Sequence, residues 1–396
     1  MKKLTILLLI AVLAIGGLTT AMAAEPVVVK FAAQGDSTPA TQAVIDAFNA
    51  AQTAYKVEWV DMTNDSGAMR EQLITTLKAG SSEYDVVSLD VVWAGEFAAA
   101  GYIQPLDMMM DEAGLKIEDY NAGSMASGSY AGKQYVMPFF PDLGMLYFRS
   151  DIVSEEDGAK LIAGDYTWAD LQAMAEKYMG QVGAKDGFVF QSALYEGLVC
   201  NANEFTANWK DIKGGLEAMN SMINDKTTPD NIMTYTEGET ANSFVKGESV
   251  FARNWPYMWG MIKSEGTIKT DQVGIAPLPG GSTVGGWLLA INKKSENTEG
   301  AFEFIKFLNS EAGQIVMSQA YLPGFNAMLT NEDVVKNNEL LSMEGFQNAL
   351  KTTTARPVSA EYSKVSDALQ QAIHGYLSGT GTVEDAVKGV ETALAN

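Results

Sequence analysis

The sequence holds one cysteine, Cys200, and one histidine, His374. A single thiol cannot close an internal disulfide, so the core and not covalent staples must stabilise the fold. Cys200, within Leu198-Val199-Cys200-Asn201, reads as a small buried hydrophobe. A Ser-His-Asp or Cys-His site has only His374 to use. That residue falls late in an expected helix, where a histidine is favourable on dipole grounds alone. G-x-x-x-x-G-K-[ST], a G-x-G-x-x-G after a strand, H-E-x-x-H, C-x-x-C and EF-hand spacing are all missing, so no metal or cofactor is expected, nor catalysis by these motifs. Positive charge is scarce too: 27 Lys and Arg against 49 Asp and Glu leave −22 over 396 residues. So acidic a surface repels phosphate backbones and anionic lipid, which argues against nucleic acid as a partner. Beyond Leu18 no apolar run is long enough to span a bilayer.

Lys2-Lys3, the apolar run 4–18 and Ala21-Met22-Ala23 read as a secretory signal peptide cleaved after Ala23. Cys200 lies far from that point, so it cannot carry a lipoprotein anchor. The expected product is a periplasmic or secreted monomer without a direct membrane anchor.

The remaining length is ample for two domains. Residues 27–32, 56–60 and 86–89 read as strands, with helices after Thr38-Pro39 and over 69–78 between them. That alternation signals βαβ units and a parallel sheet, whose ligands sit at the carboxyl ends of strands. Gln34, Asn64 and Asp90 follow strands at such ends. Further strands are expected at 133–138, 145–148, 249–252, 273–276 and 287–291, with residues 139–142 as a crossing between lobes. The rest, including 299–308, 311–320, 339–350, 362–377 and 383–394, reads as helical.

Aromatic side chains alternate with a few polar groups in the expected loops: Phe139-Phe140 with Asp142, Trp255-Pro256-Tyr257 after Arg253-Asn254, and Gly285-Gly286-Trp287. A sugar ring needs that mixture. Its C–H face packs on an aromatic ring, and its hydroxyls demand partners once buried. Each aromatic also has a plainer reading as core, Asp90 as a helix cap, and Arg356 as an ordinary surface ion pair. Paired carboxylates for glycoside hydrolysis or lyase chemistry stay open as the alternative, because their separation is a three-dimensional quantity.

The run 84–93 (Tyr84-Asp85-Val86-Val87-Ser88-Leu89-Asp90-Val91-Val92-Trp93), leading into Gly101-Tyr102-Ile103-Gln104-Pro105-Leu106-Asp107, resembles the first lobe of bacterial extracellular solute-binding proteins. Gly132-Lys133-Gln134-Tyr135-Val136-Met137-Pro138 and Gly144-Met145-Leu146-Tyr147-Phe148-Arg149 are similar to that family's lobe crossing. Arg253-Asn254-Trp255-Pro256-Tyr257 and Gly285-Gly286-Trp287 resemble its trehalose- and maltose-binding branch.

The resemblance implies a two-lobed α/β periplasmic-binding-protein fold of type II. Each lobe is a mainly parallel sheet flanked by helices, and several crossings join them. Residues 24–138 and 278–322 form one lobe, and 139–277 with 323–396 the other. It further implies a receptor that closes on a neutral mono- or disaccharide and presents it to the membrane subunits of an ABC permease. By the same resemblance Asp90 accepts from sugar hydroxyls, Phe140 packs and Asp142 accepts near the hinge. Trp255 and Tyr257 line the second lobe, Gly286 and Trp287 close one side, and Arg356 donates. Relatives often carry a carboxylate where this chain has Gln34, and an arginine in the loop that here begins at Asn64.

Overall fold

A computed structural model describes residues 25–356 and 361–395. The expected signal peptide and its cleavage point lie outside them. Three strands, β1 (Val27–Gln34), β2 (Tyr55–Met62) and β3 (Val86–Asp90), pair in parallel with β1 central. Helices α1 (Ala40–Ala51) and α2 (Ser66–Lys78) make the crossovers. Every residue of β3 is buried, Ser88 and Asp90 included, as befits a strand covered on both faces. Val44, Ile45 and Phe48 form the inner face of α1. Helix α1 starts at Ala40, with Pro39 ahead of it. Further ahead, Asp36 satisfies the first amides, its carboxylate accepting from those of Thr38 and Thr41 at 2.7 and 2.9 Å. A long strand, Ser282–Ile291, runs antiparallel between β3 and the strand Val136–Leu143, and Thr353–Thr354 pairs with its start.

The second sheet runs in the order Val273–Ala276, Met145–Arg149, Ser249–Asn254 and Asp186–Val189. Its first two pairings are antiparallel and only the last is parallel. The expectation of a mainly parallel sheet is therefore corrected for this half. Met145–Arg149 leaves the first sheet and Val273–Ala276 returns to it, so adjacent outgoing and returning strands run in opposite senses.

Each sheet carries its own buried core. Phe31, Phe139 and Phe304 pack on one face of the first sheet, and Leu73, Phe97 and Leu288 on the other. Tyr147, Phe188, Phe251 and Leu369 belong to a separate cluster around the second. The molecule is thus two-lobed. The helix Thr298–Leu308 returns to the first core, while Tyr362–Leu377 and Val383–Leu394 pack on the second.

Residues 139–142, expected as a crossing, continue the strand Val136–Leu143 instead, and the chain passes between sheets at Gly144. It returns through 277–281. Both passages press on one buried ion pair. Glu204 holds Arg253 through Oε1–Nη2 at 2.6 Å and Oε2–Nε at 2.8 Å, and neither side chain reaches solvent. A Cβ on Gly144 would come within 2.1 Å of Glu204 Oε1, and one on Gly280 within 1.7 Å of the Glu204 carbonyl oxygen. Glu204 Oε1 also accepts from the Thr283 amide at 3.1 Å, which ties a helix of the second core to a strand of the first sheet.

Candidate functional site

Between the two cores lies a cavity of about 290 Å³. Three of its walls are the carboxyl ends of β1, β2 and β3, which deliver Gln34, Asn64 and Asp90, as expected of a parallel sheet. Gln34 Oε1 accepts from Ser88 Oγ at 3.1 Å. Phe140 and Asp142 come from the strand that leads to the crossing. Gly286 and Trp287 come from the strand opposite it, and Trp255 and Tyr257 from the end of the second sheet. Arg356 completes the set. All ten residues singled out in the sequence border this single cavity.

The Trp255 ring is held on several sides. The Arg253 guanidinium lies over it at 4.0 Å from the ring centroid, its Nε1 donates to Glu237 Oε1 at 3.3 Å, and its edge meets Gly285. A Cβ at Gly285 would stand 2.9 Å from Trp255 Cζ3, so only glycine admits the indole there. Gly286 has a φ of 121° and lies against the Phe140 carbonyl, where a Cβ would approach to 2.7 Å. The strand irregularity between Trp287 and Leu288 follows directly after it. Trp287 meets Trp93 edge-on with centroids 5.5 Å apart. Phe140 stacks on Tyr321 at 4.0 Å and 8°.

Asp90 and Arg356 do not stand apart as two separate ligand partners. Arg356 Nη2 donates to Asp90 Oδ1 at 2.7 Å and Nη1 to Oδ2 at 3.3 Å, while Nη1 also donates to Glu196 Oε1 at 2.9 Å. Arg356 Nε is buried without a partner among the described residues. The guanidinium therefore bridges a carboxylate at the end of β3 and one at the start of the helix Glu196–Phe205, so it joins the lobes. The reading of Arg356 as a surface ion pair fails: it is 6% exposed.

Asp142 has the opposite surroundings. Among the described residues its side chain takes one hydrogen bond, from the Leu143 amide at 3.3 Å. Enclosure raises its carboxyl well above the usual carboxylate range, and the neighbouring Glu237 and Asp90 add to the rise against the pull of Arg253. Glu196 is raised as well, first by burial and then by Asp90, with Arg356 opposing. A carboxylate with unspent acceptor capacity beside fixed aromatic faces is suited to bind hydroxyl groups.

Several lining residues were not singled out in the sequence. Tyr195 donates to Glu237 Oε2 at 2.6 Å, and Glu196 also accepts from Tyr362 Oη and Ser366 Oγ, both at 2.5 Å. Tyr321 and Cys200 border the cavity too, and burial pushes the Cys200 thiol pKa up. His374 lies in the last turn of the helix Tyr362–Leu377, away from the cavity lining. The arginine nearest the Asn64 loop, Arg70 on α2, is engaged by Glu96 and is not among the lining residues. Among the described residues no helix is long and apolar enough to cross a membrane, and no group of three or more His, Cys, Asp or Glu is placed to hold a metal ion.

The family model described as "Bacterial extracellular solute-binding protein" matches residues 34–315. A probable ABC transporter-binding protein of Deinococcus radiodurans is 29% identical over 87% of this chain and 87% of its own length. A maltotriose-binding protein of Pyrococcus abyssi is 24% identical over 71% of this chain and 63% of its own. Among solved structures, maltose-bound T. maritima MalE3 is 30% identical and superposes with a TM-score of 0.83, covering 93% of this chain and 99% of that one.

Proposed function

Because the chain belongs to the bacterial extracellular solute-binding protein family, we propose that it is the sugar receptor of an ABC importer. It binds a neutral mono- or disaccharide, with a maltose- or trehalose-like α-glucoside favoured, and hands it intact to the permease. We place its site of action outside the cytoplasmic membrane, after removal of residues 1–23. The observation that carries this reading is the junction of Trp255, Trp287 and Phe140 with Asp142 around one cavity between two cores. Likeness to a maltose-bound structure at 30% identity supports the sugar class. Closure is the mechanism: a sugar docked on one lobe gains the other lobe's contacts only when the cleft shuts, so it shifts the open–closed balance by that difference.

The test is isothermal titration and thermal shift against maltose, trehalose, maltotriose and mannitol. The expected result is binding of at least one, with the sugar recovered chemically unchanged after prolonged incubation. Products of hydrolysis or elimination would overturn the reading in favour of a secreted glycosidase or lyase.

The raised acids give a pH dependence of defined sign. Asp142 faces Asp90, Glu237, Arg253, Tyr147 and Tyr257. Its folded-state carboxyl binds protons more tightly than the unfolded one, as does that of Glu196. Their contribution to stability therefore improves as pH falls through the raised folded pKa, and is complete once pH lies below the ordinary carboxylate range. Sugar hydroxyls donate to the ionised form, so affinity is expected to weaken across that same window. Titrations over a pH series should show this slope, and Asp142→Asn should flatten it. An unchanged slope in that variant would remove Asp142 from the site.

A further inference from the structure

A second set of contacts joins the lobes outside the cavity. Ser363, the second residue of the helix Tyr362–Leu377, accepts from Arg70 Nη2 at 2.6 Å and donates to Glu96 Oε2 at 2.8 Å. Arg70 Nη2 in turn holds Glu96 Oε1 at 2.5 Å. Arg70 lies on α2 and Glu96 on α3 (Ala94–Ala99), which pack in the first lobe. The helix that carries Ser363 buries Val365, Leu369 and Ile373 in the core of the second. None of the three polar residues borders the cavity. The Arg70 and Glu96 side chains are only 14% and 27% exposed, so water competes weakly for these bonds. The Glu96 carboxylate also approaches the amino end of the 16-residue helix, where negative charge is favoured.

We propose that Ser363, received by Arg70 and Glu96, is a positioning residue for closure: a clasp on the rim that holds the shut form without touching the ligand. The proposal rests on the closing mechanism above. Opening separates the two cores and breaks both charge-assisted bonds, while closing restores them. A contact of this kind multiplies the affinity for every ligand by the same factor, because it alters the population of the shut form and not the ligand's own partners. Cavity residues such as Asp142 and Trp255 act differently, since their loss alters the ranking of sugars.

The test uses the full-length mature chain and two measurements. Titration with maltose, maltotriose and mannitol should show Ser363→Ala weakening every sugar that binds by one common factor of about threefold to tenfold, mainly through faster release. Ser363→Thr, which keeps the hydroxyl, should recover most of the loss. Separately, spin labels at the exposed positions of Lys78→Cys on α2 and Lys388→Cys on the helix Val383–Leu394 report the lobe separation without sugar. Cys200 is buried and stays unlabelled. Ser363→Ala should move that distance distribution toward longer separations. An unchanged distribution and unchanged affinities would overturn the clasp, and so would a loss confined to one sugar. Should none of the sugars bind, the sugar reading fails, and the label distances still decide the clasp.

Discussion

Trp255→Ala is expected to weaken sugar binding about 100-fold, with the fold intact by circular dichroism. The ring is the one large apolar surface in the cavity fixed by three independent neighbours: the Arg253 guanidinium at 4.0 Å, Glu237 on its Nε1, and the bare edge of Gly285. A sugar face stacked there hides roughly 100 Å² of apolar surface, worth about 2.5 kcal/mol. Alanine leaves a gap that water enters, and the hydroxyls opposite lose their alignment with Asp142. Trp255→Phe keeps the face and gives up the bond to Glu237, so its loss should stay within about tenfold. Titration with the best-binding sugar of the panel measures both. Wild-type affinity in Trp255→Ala would move the binding site elsewhere.

Glu204→Gln is expected to lower stability by about 3–5 kcal/mol, measured by urea denaturation, the cost of leaving a buried guanidinium without its counter-charge. Arg253 would keep its bond to Gln191 Oε1 at 3.2 Å and little else of its present neutralisation. Removing both charges, in Glu204→Leu with Arg253→Met, should cost less than the single change, which a double-mutant cycle reads as a strong coupling. That double variant is still expected to bind sugar poorly, because the cation under Trp255 has gone. A Glu204→Gln protein as stable as the parent would mean that the pair is solvated and carries no such load.

Much of this architecture is written in local pattern. Helices α1 and α2 stand out because their apolar residues recur with the period of one buried face, and strands β1 and β3 because they are short β-branched, apolar runs between turn signals. The ends of those strands then locate Gln34, Asn64 and Asp90. The helix Glu196–Phe205 gives no such signal. It is buried on every side from Gly197 to Phe205, and that stretch includes Asn201, Asn203 and Glu204, so no polar face exists to set a period. Glu196 is therefore not visible as a site residue, and Cys200 reads only as the small buried hydrophobe it also is. The pairing of Asp90 with Arg356 spans 266 positions of sequence and follows only from the way the lobes meet. Tyr321 sits one residue after an expected helix, where nothing local tells a stacking partner of Phe140 from a core tyrosine. The crossing lies past all four residues of the expected 139–142, at Gly144, since Pro141 and Asp142 carry loop chemistry yet continue a strand.

The glycines at both passages, pressed on Glu204, bear on how the cleft can move. Glu204 and Arg253 both sit on elements of the second core, and the bond that reaches the first sheet is the one from the Thr283 amide. Sliding the lobes there would break a buried charge-assisted bond beside glycines that have no side chain to fill the space. Under the proposed closure the halves are therefore expected to turn about this point like an axle, with sideways shear resisted where the chain is thinnest.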